Sequence, residues 1–380
     1  MKVLNDLSIQ DLKLNKKRSI VIIIGIILST ALICGVAGLV TSFQKTMVNT
    51  AKEGQGNYHT IFYNVPKEEL KYIEENREVK DYFLSEELGY SYLPNHKNVE
   101  ETPIVNVISM NDKFIENMSV KLKEGRLPEN DTELAISTRI NEKFNTNYKV
   151  GDTITLNINE TEQNMENGIS KTYKIVGIIE RPILAIESYD VDWFTAITKM
   201  QNVNKKANIA VLYNKPKDYI KNTETINNIT KTENKVNKEL LAYEGASLDD
   251  ETLKTIYGLG AFIIGIVLVS SVFVIRNGFE ISITERLKQY GMLSSIGATK
   301  KQIKKSVYFE GFILGLIGIP LGIISGVFAI YILINVVNYI LKDYISKGTL
   351  LTFSISWIAI AISVFVSIIT IWLSCKKSAK

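Results

Sequence analysis

The amino-acid sequence predicts a polytopic α-helical membrane protein, with four transmembrane helices and a large extracytoplasmic α+β domain between the first and second. Three observations carry this prediction. Four uncharged apolar stretches are long enough to cross a hydrocarbon core of about 30 Å at about 1.5 Å per residue. Between the first two lies a polar stretch, residues 57–245, without any such run. The Lys and Arg residues flanking the spans gather in three segments that four crossings place on one side.

Taken in order, residues 1–19 form a basic amino-terminal segment ending in Lys13, Lys16, Lys17 and Arg18, and residues 20–41 form the first span. Basic residues before an apolar core also open a secretory signal peptide. This run is too long for a signal core, and Leu39, Phe43, Met47 and Ala51 carry a helical stripe past its end. A retained helix with a stalk at 42–56 is expected. In the 57–245 domain, strands are expected at 58–65, 104–110, 133–137, 152–158, 172–179 and 208–213, with Pro66 in the first turn of a helix. Ser247, Asp249 and Asp250 suit a helix start, so a second stalk at 246–254 leads into the second span, 255–276. A basic loop follows at 277–305, then the third span at 306–337, a short loop at 338–350, the last span at 351–374 and a basic tail at 375–380. The uncharged run 311–341 exceeds one crossing, so tilt or a kink is expected there. The basic segments place both termini and the 277–305 loop in the cytoplasm and the large domain outside; its own lysines do not oppose this, because long translocated domains escape the rule.

Composition narrows the chemistry. The 380 residues have a mean hydropathy near zero only because very apolar and very polar stretches average out. Lys outnumbers Arg, and Asn and Ile are abundant, as in AT-rich bacterial genomes; the expected location is the cell membrane of a Gram-positive bacterium. The net charge of +4 is small, and no nucleic-acid partner is expected. Two cysteines, Cys34 and Cys375, and two separated histidines, His59 and His96, offer no disulfide framework and no metal cluster. The sequence contains no phosphate-binding Gly-x-x-x-x-Gly-Lys-Ser/Thr loop, no His-Glu-x-x-His and no Gly-x-Ser-x-Gly. Acidic pairs such as Glu68-Glu69, Glu86-Glu87 and Asp249-Asp250 read as solvated surface. No catalytic residue, no metal and no cofactor is expected on this chain.

The chemistry-bearing stretch is instead 283–326. Its first half is polar and helix-compatible, with Leu287, Tyr290, Leu293 and Ser294 near one face, a break at Ile296 to Thr299, and a basic restart at Lys300, Lys301, Lys304 and Lys305. Held against anionic lipid it is a simple connector; as a helix–turn–helix beside the bilayer it offers a rigid knob to a soluble partner. Its second half carries Gly311, Gly315, Gly318, Gly322 and Gly326, spaced mostly by four. That spacing lets another helix backbone approach closely, beyond the ordinary glycine tolerance of membrane helices. Pro320 reads as a structural kink. Glu310 reads as snorkelling to the cytoplasmic interface; the sharper alternative is a pair with a basic residue of the loop.

Here a resemblance enters. Glu285-Arg286, Gly291-Met292-Leu293, the run from Ile296 through Gly297, Ala298 and Thr299 to Ile303, and Glu310 resemble the signature of FtsX-like, MacB-type ABC permeases of the type VII superfamily. Leu12-Lys13, Asn15-Lys16 and Arg18-Ser19 are similar to the family's opening motif. Gly125-Arg126-Leu127-Pro128 with Glu133 to Ser137 resembles its external core domain. The family often has Glu-Ile where this chain has Gln289-Tyr290, so a role resting on that carboxylate does not transfer.

The resemblance implies a permease subunit working with a separate ABC ATPase, which would hold the ATP and Mg. Glu285, Arg286, Gly291, Leu293, Ile296, Gly297, Ala298, Thr299 and Ile303 would form the ATPase-coupling element. It implies a homodimer or pairing with a second permease half, embedded in lipid, that transmits motion to the external domain. The function implied is export or resistance involving antimicrobial peptides, macrolides or lipoproteins. The alternative is a transmembrane regulator of a cell-envelope enzyme that transports nothing. Many relatives continue past the point where this chain ends, so a truncated chain or the first half of a longer permease is also implied.

Overall fold

The computed structural model describes residues 9–10, 12–94, 104–144, 146–161, 165, 168–182, 186–187, 193–246, 251–285, 291–292, 295, 299–343 and 350–378. They fall into two units, Met1–Met47 with Glu251–Lys380, and Val48–Asp250. The principal helices are α1 (Lys16–Gln55), α2 (Lys67–Glu74), α3 (Asp112–Asn117), α4 (Thr138–Phe144), α5 (Tyr219–Thr230), α6 (Lys238–Tyr243), α7 (Glu251–Glu285), α8 (Lys300–Leu341) and α9 (Trp357–Ser378).

Four of these, α1, α7, α8 and α9, are long and apolar enough to cross a membrane. Their sequences are rich in Ile and Val, which water-soluble helices do not favour. Hydrocarbon removes every other hydrogen-bond partner of the backbone and leaves the helix as the satisfied state. α1 continues past the first span to Gln55, as its apolar stripe predicts. Its last turns, from Val48, belong to the second unit. α8 has 42 residues, about 63 Å at 1.5 Å per residue, and runs unbroken through Pro320. The apolar core between the helices contains Ile22 and Ile26 of α1, Ile275 and Phe279 of α7, Val307 and Leu314 of α8, and Ile371 and Cys375 of α9.

One boundary differs from expectation. The sequence places the last span from 351, but the helix begins at Trp357, and residues 351–356 form no regular secondary structure. Side chains of α1 and α8 bond the backbone of 351–354, so it is satisfied without a helical turn.

The second unit is one ten-stranded sheet in the order β10-β1-β9-β2-β3-β8-β5-β7-β4, with β6 on β7. The strands are β1 (Thr60–Pro66), β2 (Val79–Tyr92), β3 (Ile104–Met110), β4 (Leu122–Gly125), β5 (Glu133–Ser137), β6 (Thr153–Ile158), β7 (Ile169–Ile179), β8 (Trp193–Lys199), β9 (Lys206–Tyr213) and β10 (Asn234–Val236). β3 pairs with β8 and β5 with β7 in parallel; the other pairings are antiparallel. Pro66 closes β1 opposite Lys206 and caps α2 instead of entering its first turn.

The sequence reading missed β2, β4, β8 and β10, and the longer two, β2 and β8, for opposite reasons. β2 slips its alternation at a bulge between Glu87 and Gly89. β8 has no alternation to read, because Phe194 and Ala196 enter one core while Ile197 enters another.

Candidate functional site

The segment expected to couple to an ATPase joins α7 to α8. Glu285 closes α7. Arg286, Leu293, Ile296, Gly297 and Ala298, and with them Leu287, Tyr290 and Ser294, lie outside the described residues. Gly291 belongs to a helical turn in which the Ser295 hydroxyl donates to its carbonyl at 3.0 Å. Thr299 caps α8 with a reciprocal box: its N–H donates to Gln302 Oε1 at 2.8 Å, and the Gln302 N–H donates to Thr299 Oγ1. Ile303 is half-buried one turn on, while Lys300, Lys301, Lys304 and Lys305 are exposed. Four ammonium groups at the positive end of a helix dipole weaken that helix by a few tenths of a kcal/mol each. The capping box offsets part of that cost.

The five glycines lie on the buried face of α8. A methyl group added at Gly311 would lie 2.5 Å from Cys375 Sγ, and at Gly315 3.0 Å from Ile371 Cδ1, both on α9. At Gly318 it would lie 2.6 Å from Ile26 Cγ2, at Gly322 2.6 Å from Thr30 Cβ and 2.9 Å from the Ile27 carbonyl, and at Gly326 2.8 Å from the Ala31 carbonyl. Two glycines therefore admit α9, and three admit α1 down to its backbone.

Glu310 corrects the snorkelling expectation. It is 3% exposed, on the same inward face as Ser306, Val307 and Leu314, because its position is in phase with the glycines and not with the lipid side. Glu86 corrects the reading of acidic pairs as solvated. It is buried, and its carboxylate accepts the N–H and the side-chain amide of Asn204.

In the sheet unit, the motif from Gly125 to Ser137 is a clasp. Arg126 meets both carboxylate oxygens of Glu133, one at 2.7 Å, and the Glu129 N–H donates to the same carboxylate at 2.9 Å. Arg126 first, then that N–H, hold the Glu133 carboxyl down to about 2. A second polar pair joins the start of the unit to its last helix. His59 is 3% exposed; its Nδ1 accepts the Tyr213 N–H at 2.9 Å, which leaves the ring proton on Nε2, donated to Glu244 at 2.9 Å. Around it, Val48 and Ala51 of α1 pack on Leu240 and Tyr243, and the Asn237 side chain donates to the Gly56 carbonyl.

Sequence reasoning missed the side chains that hold 351–354. Thr46 Oγ1 accepts the Thr352 N–H at 2.8 Å, Ser42 Oγ accepts the Ser354 N–H at 3.0 Å, and the Ser42 and Thr41 hydroxyls donate to the Ser354 carbonyl at 2.9 and 2.8 Å. From α8, Asn338 bonds both the N–H and the carbonyl of Leu351, at 2.9 and 2.8 Å. Hydroxyls are common in membrane helices, so nothing in the sequence marks these four.

Comparison with known proteins covers most of the chain. A model of the MacB-like periplasmic core domain matches residues 19–229, and a model of the FtsX-like permease C-terminal region matches residues 261–379. The ABC transporter permease YtrF of Bacillus subtilis (strain 168) is 23% identical over 259 residues, 57% of this chain, and the matched region spans 57% of that relative's length. The extracellular domain of the noncanonic ABC-type transporter YknZ from Gram-positive bacteria is 13% identical, with a TM-score of 0.32, covering 47% of this chain and 99% of that one. A domain of a putative permease from Porphyromonas gingivalis is 13% identical, with a TM-score of 0.31, covering 46% of this chain and 84% of that one.

Proposed function

From a chain that belongs to the FtsX-like and MacB-like family of ABC transporter permeases, we propose a permease subunit that converts ATP hydrolysis by a separate ATPase into movement of an external domain. The observation that carries this reading is the segment between α7 and α8. It lies within the matched permease region, has the family-like signature, and presents four exposed ammonium groups at the start of a capped helix. Keeping positive charge where the helix dipole opposes it is explained by an acidic docking surface on a partner. The sequence has no phosphate loop of its own, so ATP and Mg belong on that partner.

In this reading the basic segments and both termini face the cytoplasm and the sheet unit lies outside. The permease works as a homodimer or with a second half, because a single set of four spans is the smaller part of an ABC translocation unit. The substrates are amphipathic compounds that act at the envelope: antimicrobial peptides, macrolides or lipoproteins.

The test is copurification of an ATPase with the full chain. Deleting residues 285–303 is expected to abolish it, and retained association overturns the coupling assignment. In proteoliposomes carrying the complex, ATP-dependent movement of a labelled substrate is expected. Absence of transport alongside ATP-dependent activation of a wall hydrolase would establish the regulatory alternative.

A further inference from the structure

We propose that Thr41, Ser42 and Thr46 of α1 and Asn338 of α8 are positioning residues of a strap, residues 351–354, that carries movement of α8 onto the base of the α1 stalk. The inference rests on the permease reading above and adds the route by which force leaves the bundle.

The argument begins with register. Along the contact between α1 and α8, Gly318 meets Ile26, Gly322 meets Thr30, Gly326 meets Ala31 and Cys34, and Ile330 lies against Gly38. Both helices advance four residues per contact, so they run in parallel and in phase. The next steps in that register are Ile334 with Ser42 and Asn338 with Thr46. There the strap stands between the helices: Asn338 holds Leu351 by both backbone groups, Thr46 holds Thr352, and Ser42 and Thr41 hold Ser354. Ile355, next along, contacts the space above Gly38. The strap therefore continues the seam, bonded to α1 on one side and to α8 on the other.

Position gives this arrangement its consequence. Thr46 precedes Met47, the last α1 residue of the membrane unit. A displacement at the far end of α8 thus reaches α1 at the point where it leaves the bundle. A merely structural account, that the hydroxyls satisfy a non-helical backbone in apolar surroundings, explains the bonds but not their registry with the glycine seam.

The test uses the full chain with its ATPase in nanodiscs, with Tyr72→Cys, an exposed site, carrying a donor fluorophore and headgroup-labelled lipid as acceptor. In S42A/T46V, amide exchange over 350–356 is expected to rise roughly tenfold, and the ATP-driven change in energy transfer is expected to disappear while the ATPase still copurifies. N338L is expected to do the same from the α8 side, and S42T/T46S, which keeps both hydroxyls, is expected to restore both readouts. Unchanged exchange overturns the strap; faster exchange with an intact ATP-driven change overturns its transmitting role. Absence of any ATP response in the unmodified protein overturns the permease reading itself, and the transmitting role with it.

Discussion

α1 and α7 flank the sheet unit in sequence, yet the membrane unit treats them differently. α1 is met by the backbone-close glycines of α8 and by the strap, and its final turns pack Val48 and Ala51 against Leu240. α7 meets α1 where Gly260 lies against Val40 and Gly278 against Ile22, packs along α9, whose Ser374 hydroxyl donates to the Val272 carbonyl, and turns Phe262, Ile266, Val269 and Phe273 outward. Outward apolar residues on a membrane helix are lipid-facing and cost nothing to leave unpartnered by protein. The difference teaches that flanking a domain in sequence does not give two helices the same packing within the membrane unit. Both helices have contacts that tolerate no added atom, but α1 is enclosed over more of its surface, while α7 leaves most of its own open.

The largest effect that can break this comparison is overfilling. Gly322→Leu would drive a side chain into Thr30 and the Ile27 carbonyl, and is expected to cost about 3 kcal/mol or more, seen as low yield and a depressed Tm in detergent. Gly265→Leu on α7, where nothing lies within 4 Å, is expected to stay within about 0.5 kcal/mol. Equal losses at the two positions would show that Gly265 is covered and not open.

The next effect compares the chain's entry to the sheet unit with its exit. Gly56 has φ +99° and Gly245 φ +74°, so alanine is strained at either, by about 1–3 kcal/mol. At Gly56 the new methyl would also lie 2.5 Å from Met118 Sδ, whereas at Gly245 nothing is within 4 Å. Gly56→Ala is therefore expected to lower Tm clearly more than Gly245→Ala. His59→Ala belongs to the same entry. It strands the Tyr213 N–H and the Glu244 carboxylate, at about 1–3 kcal/mol.

How much of this was legible in the sequence follows from which forces write in it. Absence of charge over a span's length marks the four helices, and the phase of Leu39, Phe43, Met47 and Ala51 marks the extension of α1. Strands such as Ile104 to Met110 and Glu133 to Ser137 are framed by turn residues and read to the residue. Spacing by four marks the glycine face, but not that two glycines serve α9 and three serve α1, since that depends on helix crossings. Glu310 was misread because a single carboxylate beside an interface looks alike in sequence whether it faces water or a bundle. Ser42 and Thr46 carried no local signal, because their partner is a backbone some three hundred residues away; Asn338 bonds Leu351 only 13 residues on, across a loop whose path the sequence does not give.

The smallest effect tests the entry alone, through pH. Burial pushes the Glu244 carboxyl up, but the His59 hydrogen bond, with the charges of Lys52 and Lys80, outweighs it and holds the group below its ordinary range. A carboxyl depressed in the folded state contributes stability that is complete above its unfolded value, about 4.3, and is lost as pH falls through the folded value. Unfolding of the full chain, followed from about pH 6 to about pH 3, is therefore expected to show an acid limb, and E244Q to make it shallower. The amide oxygen still accepts the His59 Nε2–H, so the neutral-pH Tm is expected to move little. Glu133, held down to about 2 by Arg126, loses its contribution across a wider span, so E133Q is expected to flatten the limb more than E244Q does. An acid limb unchanged by E244Q would mean that ionisation of Glu244 adds nothing to the tie between the start of the sheet unit and its last helix. The comparison between the two sides would then rest on packing alone.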